Sequence, residues 1–252
     1  MRSIDVLGCR VDDVTMDEAV ALCERLILAG RPAQVVTPNA EIVVAAGRMP
    51  DLRQLINRAE LSIPDGAGLL LAGRLLGTPL RAQVTGTDLC YRLAALAAER
   101  GYRLFLLGAR PGVAAAAATA LERRYPGLKV AGTFPGRAGS EGDAETRAAV
   151  AAAGRVDILL VAYGAPRQER WIARNQVALG VPLALGIGGV FDFVSGRVPR
   201  GPAWLRRAGF DWLYRLARQP WRWRRQLALP RFVGLVLLSA VRRRAVRPRP
   251  QR

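Results

Sequence analysis

Short β-like runs, most of them of buried type and four to seven residues long, recur through the first three quarters of the chain. They fall at 3–7, 34–37, 61–63, 81–85, 102–107, 129–133, 157–162 and 182–187, and most end at Gly, Pro or Asn. Runs of this kind suit strands buried on both faces. Helical stretches lie between them, at 15–29, 87–100, 111–125 and 141–153. The first opens with a Thr-x-x-Glu capping box, Thr15 to Glu18, and the third has Pro111 at its first turn, where a fixed φ and a missing N–H do no harm. Strand and helix in alternation predict an α/β fold, a largely parallel sheet with helices on both faces.

Near residue 200 the pattern stops. Pro199, Gly201 and Pro202 break it, and two amphipathic helical segments follow, at 203–218 and 220–244, the second interrupted by Pro230. The sequence therefore divides into an α/β domain, 1–200, and a helical appendage, 201–252, whose last residues, 247–252, are expected to be disordered. From Ala203 onward there are fourteen arginines and one acid, Asp211, a net of +13 out of +18 for the chain. Trp204, Trp212, Trp221 and Trp223 sit among them. Arginine mixed with tryptophan and followed by the apolar run 232–241 suits an anionic membrane surface or a phosphate-bearing ligand. That run is about half the roughly 20 residues of a spanning helix, so the appendage is expected to lie on a membrane rather than cross it.

Other features narrow the chemistry. Histidine is absent, which removes Ser-His-Asp and Cys-His catalysis and histidine metal sites. There is no D-x-D pair to hold a divalent ion. Cys9, Cys23 and Cys90 are widely spaced with no C-x-x-C, so a reducing, cytoplasmic setting fits, and no signal peptide is read at the N-terminus.

In parallel sheets, ligands bind beyond the carboxyl ends of the strands. Three polar clusters stand there. Thr37-Pro38-Asn39 follows one strand; Asn39 either caps a helix starting at Ala40 or, with Thr37, cradles a nucleotide. Asp65, in Pro64-Asp65-Gly66-Ala67-Gly68, either caps the next helix or serves as a general base. Tyr163-Gly-Ala-Pro-Arg-Gln168-Glu169 and Gly186-Ile-Gly-Gly-Val-Phe-Asp192-Phe-Val-Ser-Gly196 follow the last two strands. Their glycines admit a ligand to the backbone, and Gln168 and Asp192 are placed to hydrogen-bond it. Gly108-Ala-Arg-Pro-Gly112 is not G-x-G-x-x-G, so a dinucleotide oxidoreductase is weakly supported.

Together these clusters resemble the WecG/TagA/CpsF family, glycosyltransferase family 26. The resemblance rests on T-P-N at 37–39, I-P-D-G-A-G at 63–68, V-T-G-T-D-L at 84–89, G-A-P-R-Q-E-R-W at 164–171 and G-I-G-G-V-F-D-F-V-S-G at 186–196. The segment at 200–204 reads R-G-P-A-W, with Gly where the family usually has Ala. The resemblance implies a Rossmann-like core with a C-terminal appendage, and a metal-independent, cofactor-free, inverting sugar transfer. The donor would be a UDP-sugar of N-acetylmannosamine type or its uronic acid. The acceptor would be a polyprenyl-diphosphate-linked sugar such as GlcNAc-diphosphoundecaprenol, used in cell-surface polysaccharide or teichoic-acid synthesis. It further implies peripheral attachment to the inner face of the cell membrane, and self-association in some members. Carried over by motif, Asp65 is the general base with Thr37 beside it. Asn39, Gln168 and Asp192 are donor-site residues, Asp192 toward the uracil. Appendage arginines would steady the leaving diphosphate, and Arg215, Arg222 and Arg225 are singled out because they lie among the tryptophans. The rival from another class is a nucleic-acid-binding protein that uses the basic C-terminal segment.

Overall fold

A computed structural model describes residues 1–202, 204–205, 211–218, 223 and 227–246. The chain opens with β1 (Ser3–Val6) and β2 (Cys9–Asp12), then α1 (Met16–Ala29), β3 (Ala33–Val36), α2 (Ala40–Ala46), α3 (Pro50–Arg58), β4 (Leu61–Ser62) and α4 (Ala67–Leu75). It continues through α5 (Gly86–Arg100), β5 (Arg103–Gly108), α6 (Val113–Arg124), β6 (Lys129–Phe134), α7 (Asp143–Ala152), β7 (Ile158–Ala162), α8 (Arg167–Leu179), β8 (Leu183–Gly186) and α9 (Val190–Val194). Helices α10 (Asp211–Arg218) and α11 (Ala228–Val246) end the described chain.

Six strands form one parallel sheet in the order β4-β3-β8-β7-β5-β6. This is the Rossmann-like α/β architecture expected. The central strands β7 and β8 are apolar throughout and buried because both faces are covered, and successive side chains feed different cores. On β7, Ile158, Leu160 and Ala162 pack into the core that holds α1, α5, α6 and α9, while Leu159 and Val161 pack with Phe105, Leu107 and Trp171 on the opposite face. A further core, under α2, α3 and α4, takes Val36 from the sheet and Ile4, Val6, Cys9 and Val11 from the N-terminal hairpin.

Several expectations are corrected. Residues 81–85 form no strand: the N–H of Arg81 is taken by Asp13 Oδ1 at 2.8 Å and that of Val84 by the Pro64 carbonyl at 3.0 Å, so no neighbouring ladder forms. β2 was unforeseen. It pairs antiparallel with β1 through a two-residue turn in which Leu7 and Gly8 both have positive φ, 54° and 86°. A tight hairpin needs that geometry and normally recruits Asn-Gly for it. Pro111 lies ahead of α6 rather than in it. Pro230 does not interrupt the last helix. It sits in the first turn of α11, where N–H groups have no intrahelical partner to lose.

The apolar run 232–241 is two-sided. Phe232, Val236 and Ala240, spaced by four, face inward, and the first two are 1% exposed in the same core as Ile4 and Leu69. Leu237, Leu238 and Val241 face out, with Arg231 and Arg242 also exposed.

Candidate active site

The carboxyl ends of the parallel strands open into a cavity of about 820 Å³. Thr37 enters from β3, Asp65 from β4, Arg110 from β5, Arg137 from β6, Gln168 from the segment after β7 and Asp192 from that after β8. Between β5 and β7 the connections leave in opposite directions, β5 toward β6 and β7 toward β8. Strand order reverses there, and such a switch point leaves a crevice that α/β proteins use for ligands.

Thr37 is 5% exposed, and its hydroxyl donates to the Gly186 carbonyl at 3.1 Å, tying the end of β3 to that of β8. Asp65 does not cap α4. The N-cap of that helix is Gly66, with φ 104° and no side-chain cap bond. The Asp65 carboxylate instead points toward α5, where Oδ2 accepts the Gly86 N–H at 3.4 Å. Gly86 begins the helix, so its N–H has no intrahelical partner, and a helix N-terminus favours a carboxylate. Gly86 is also hemmed in: a Cβ there would lie 3.3 Å from Thr37 Cγ2 and 3.6 Å from Asp65 Oδ2. The T-P-N, P-D-G and T-G-T-D blocks thus meet at one point. Thr85 caps α5, and its hydroxyl also donates to Asp88 at 2.7 Å.

Asn39 is the N-cap of α2. Its Oδ1 accepts the Ile42 N–H at 3.0 Å as the cap of α2, and the residue lines the cavity. Gln168 is 2% exposed and its polar atoms are engaged within the protein, with Oε1 accepting from Gly164 and Gly188 and Nε2 donating to Glu169. Asp192 stands in the first turn of α9 on the cavity wall. Arg222 and Arg225 lie outside the described residues, as does the side chain of Arg215.

Motif reading missed a cationic rim. Arg110, Arg137 and Arg167 line the cavity and are exposed, and none makes an ion pair among the described residues. The signal was present, since Arg110 and Arg137 stand just past strands and Arg167 opens α8, but the three positions are far apart in sequence. The loop carrying Arg137 is braced from below. Arg174 donates to Asp143 Oδ1 at 2.9 Å and to the Ala138 carbonyl at 3.1 Å, and its guanidinium holds the Asp143 carboxyl below its ordinary value. Beside Gly136 in the same lining, burial pushes the Tyr163 phenol up to about 12, so it stays neutral. Among the described residues no group of three or more Cys, Asp and Glu side chains could hold a metal ion.

The model of the glycosyl transferase WecG/TagA/CpsF family matches residues 4–246. The chain belongs to this family. It is similar to the N-acetylglucosaminyldiphosphoundecaprenol N-acetyl-beta-D-mannosaminyltransferases of three bacteria. Identity is 32% to that of Bacillus subtilis (strain 168), covering 87% of this chain and 85% of that protein. It is 34% to that of Bacillus spizizenii, covering 81% and 79%. It is 30% to that of Staphylococcus aureus (strain NCTC 8325), covering 84% and 83%. These findings do not support the nucleic-acid reading. For this member of the WecG/TagA/CpsF family, the basic C-terminal segment is to be understood beside a glycosyl-transfer fold.

Proposed function

We propose that the chain is an inverting transferase that moves N-acetylmannosamine from a UDP-linked donor onto GlcNAc-diphosphoundecaprenol. The reading is carried by Asp65, a carboxylate on the wall of a switch-point cavity, oriented by the Gly86 N–H beside Thr37. In the step, the acceptor hydroxyl oxygen attacks the anomeric carbon from the face opposite UDP. The new C–O bond forms as the bond to the β-phosphate oxygen breaks, and the electron pair leaves with UDP. Asp65 takes the hydroxyl proton. Desolvation and a nearby diphosphate both make a carboxylate more basic than it is in water, which suits this role. Negative charge growing on the diphosphate meets Arg110, Arg137 and Arg167, whose planar guanidinium groups suit phosphate oxygens. Arg215, Arg222 and Arg225 add to this from the appendage. Asn39 and Asp192 hold the nucleotide, Asp192 at the uracil. A panel of UDP-sugars tested against a lipid-diphosphate-GlcNAc acceptor decides the matter: turnover with UDP-N-acetylmannosamine is expected, and no transfer from any UDP-sugar would refute it.

The same reading places the protein on the inner face of the membrane that carries its acceptor. No helix among the described residues is long and apolar enough to cross a membrane. The outward face of α11 supports attachment instead: Leu237, Leu238 and Val241 are 46%, 49% and 65% exposed, with Arg231 and Arg242 exposed on the same helix. Arginine near an anionic leaflet contributes about 1 kcal/mol each. The test is Leu238→Glu with Val241→Glu, which leaves Phe232 and Val236 in the core. Co-sedimentation with phosphatidylglycerol vesicles is expected to fall, and undiminished sedimentation would refute attachment through this face.

A further inference from the structure

Gly164 and Gly188 stand in separate loops, one after β7 and one after β8, and both line the cavity. Both have positive φ, 78° and 56°. Their N–H groups converge on one atom: Gln168 Oε1 accepts from Gly164 at 3.0 Å and from Gly188 at 2.9 Å. A single buried oxygen therefore holds the two loops together.

The arrangement works in only one of the two orientations of the Gln168 amide. Rotated by half a turn, the amide would aim its NH2 at two N–H donors, and three donors would be buried without an acceptor. The orientation is fixed from the other side. Gln168 Nε2 donates to Glu169 Oε1 at 2.9 Å. Nε2 is also pressed against Gly186, where a Cβ would come within 2.8 Å of it.

Glu169 is itself unusual. It is 1% exposed and is not part of the cavity wall. Its Oε2 is buried without a hydrogen-bond partner among the described residues. Burial pushes its carboxyl above the ordinary glutamate value, and the bond from Gln168 offsets this only in part. The Gln168 amide, the residue's own N–H and nearby Arg170 do not fully compensate a buried charge, whereas a neutral acid still offers its carbonyl oxygen as an acceptor. Its turn is anchored as well, since Gln34 Nε2 on β3 donates to the Glu169 main-chain carbonyl at 3.2 Å. Nothing in this set requires an acid for packing alone.

We infer that Glu169 is a positioning residue for the donor cavity: by accepting from Gln168 Nε2 it keeps Gln168 Oε1 on the Gly164 and Gly188 N–H groups, and so sets the spacing of the two loops between which the donor seats. The inference rests on the donor-site reading above, and its test is arranged to fail separately. Glu169→Met keeps the length of the side chain and removes the acceptor. Glu169→Gln keeps Oε1.

Amide hydrogen exchange at Gly164 and Gly188 is measured on the full chain without ligand, and donor KM and kcat are measured on the same samples. Glu169→Met is expected to speed exchange at both glycines about tenfold, the scale of one lost hydrogen bond. Donor KM is expected to rise by a similar factor with kcat changed far less. Glu169→Gln is expected to restore both. Equal exchange and KM in the Met and Gln variants would overturn the inference, as would faster exchange at one glycine alone. If the Met variant does not fold, Glu169→Asp withdraws the acid by one methylene and is expected to loosen both amides; unchanged exchange there overturns the inference equally. Absence of UDP-sugar turnover in the unmodified protein counts against the functional reading only, because the exchange comparison uses no substrate.

Discussion

Asp65 reaches from the turn after β4 to the first N–H of α5, its Oδ2 accepting from Gly86 at 3.4 Å. The bond orients the carboxylate without enclosing it, since Asp65 also lines the cavity. An oriented but accessible oxygen is what proton transfer from an acceptor hydroxyl needs.

Asp65→Asn keeps an oxygen for the Gly86 N–H and removes the proposed proton acceptor. Sugar transfer in a radiolabel assay is expected to fall by about 10²–10⁴-fold, the range for loss of a general base. UDP binding by calorimetry should stay within about threefold, the geometry being retained.

Gly186→Ala should damage the site from below. The added Cβ would sit 2.8 Å from Gln168 Nε2 and 3.0 Å from its Cγ and Cδ, and that side chain is held at both ends. Overpacking of this kind costs about 1–3 kcal/mol, read as a lower denaturant midpoint. Gly234→Ala is the contrasting case. It lies within α11 with nothing inside 4 Å of the new Cβ, so a gain of about 0.5–1 kcal/mol is expected.

Arg137→Gln removes one guanidinium from the cavity rim while leaving the Arg174 brace beneath it. UDP affinity should drop by roughly tenfold at low salt, and the loss should shrink as added salt screens the exposed charges. An unchanged affinity at low salt would remove the rim from the donor site.

Asp143 supplies a pH dependence whose sign is fixed by its shift. Its folded pKa lies below the ordinary 3.8 because Arg174 and Asn175 hydrogen-bond the carboxylate. The stabilisation is therefore complete above the unfolded value and is lost as pH falls through the depressed folded one. Urea titrations should give the unmodified protein an advantage over Asp143→Asn at pH 7 that fades below about pH 4. A gap that does not narrow as the pH falls below about 4 would contradict this.

The parallel strands were legible because buried strands are written as continuous apolar runs, and Thr37, Asn39, Asp65, Gln168 and Asp192 because each follows such a run. β2 was not legible, because Leu7 occupies a positive-φ position that normally takes Asn or Gly. The expected strand at 81–85, Arg-Ala-Gln-Val-Thr, has no ladder to join. Gln168, expected at the donor site, does line the cavity, but its bonds to Gly164, Gly188 and Glu169 were not legible, because a buried brace and a ligand-binding amide look alike in sequence. The two sides of α11 were hidden because its run is apolar on both, and only the fourfold spacing of Phe232, Val236 and Ala240 marks the inward one.

Ile4 and Phe232 belong to one core, although nearly the whole chain separates them. A polypeptide made from its N-terminus can pair β1 with β2 early, but the apolar surface beneath α2 and α4 stays uncovered until the last helix has been synthesised. Helix α2 is the one that Asn39 caps at the cavity. Completion of this cavity wall is thereby linked to the synthesis of α11, and a chain released before it would present an adhesive face instead.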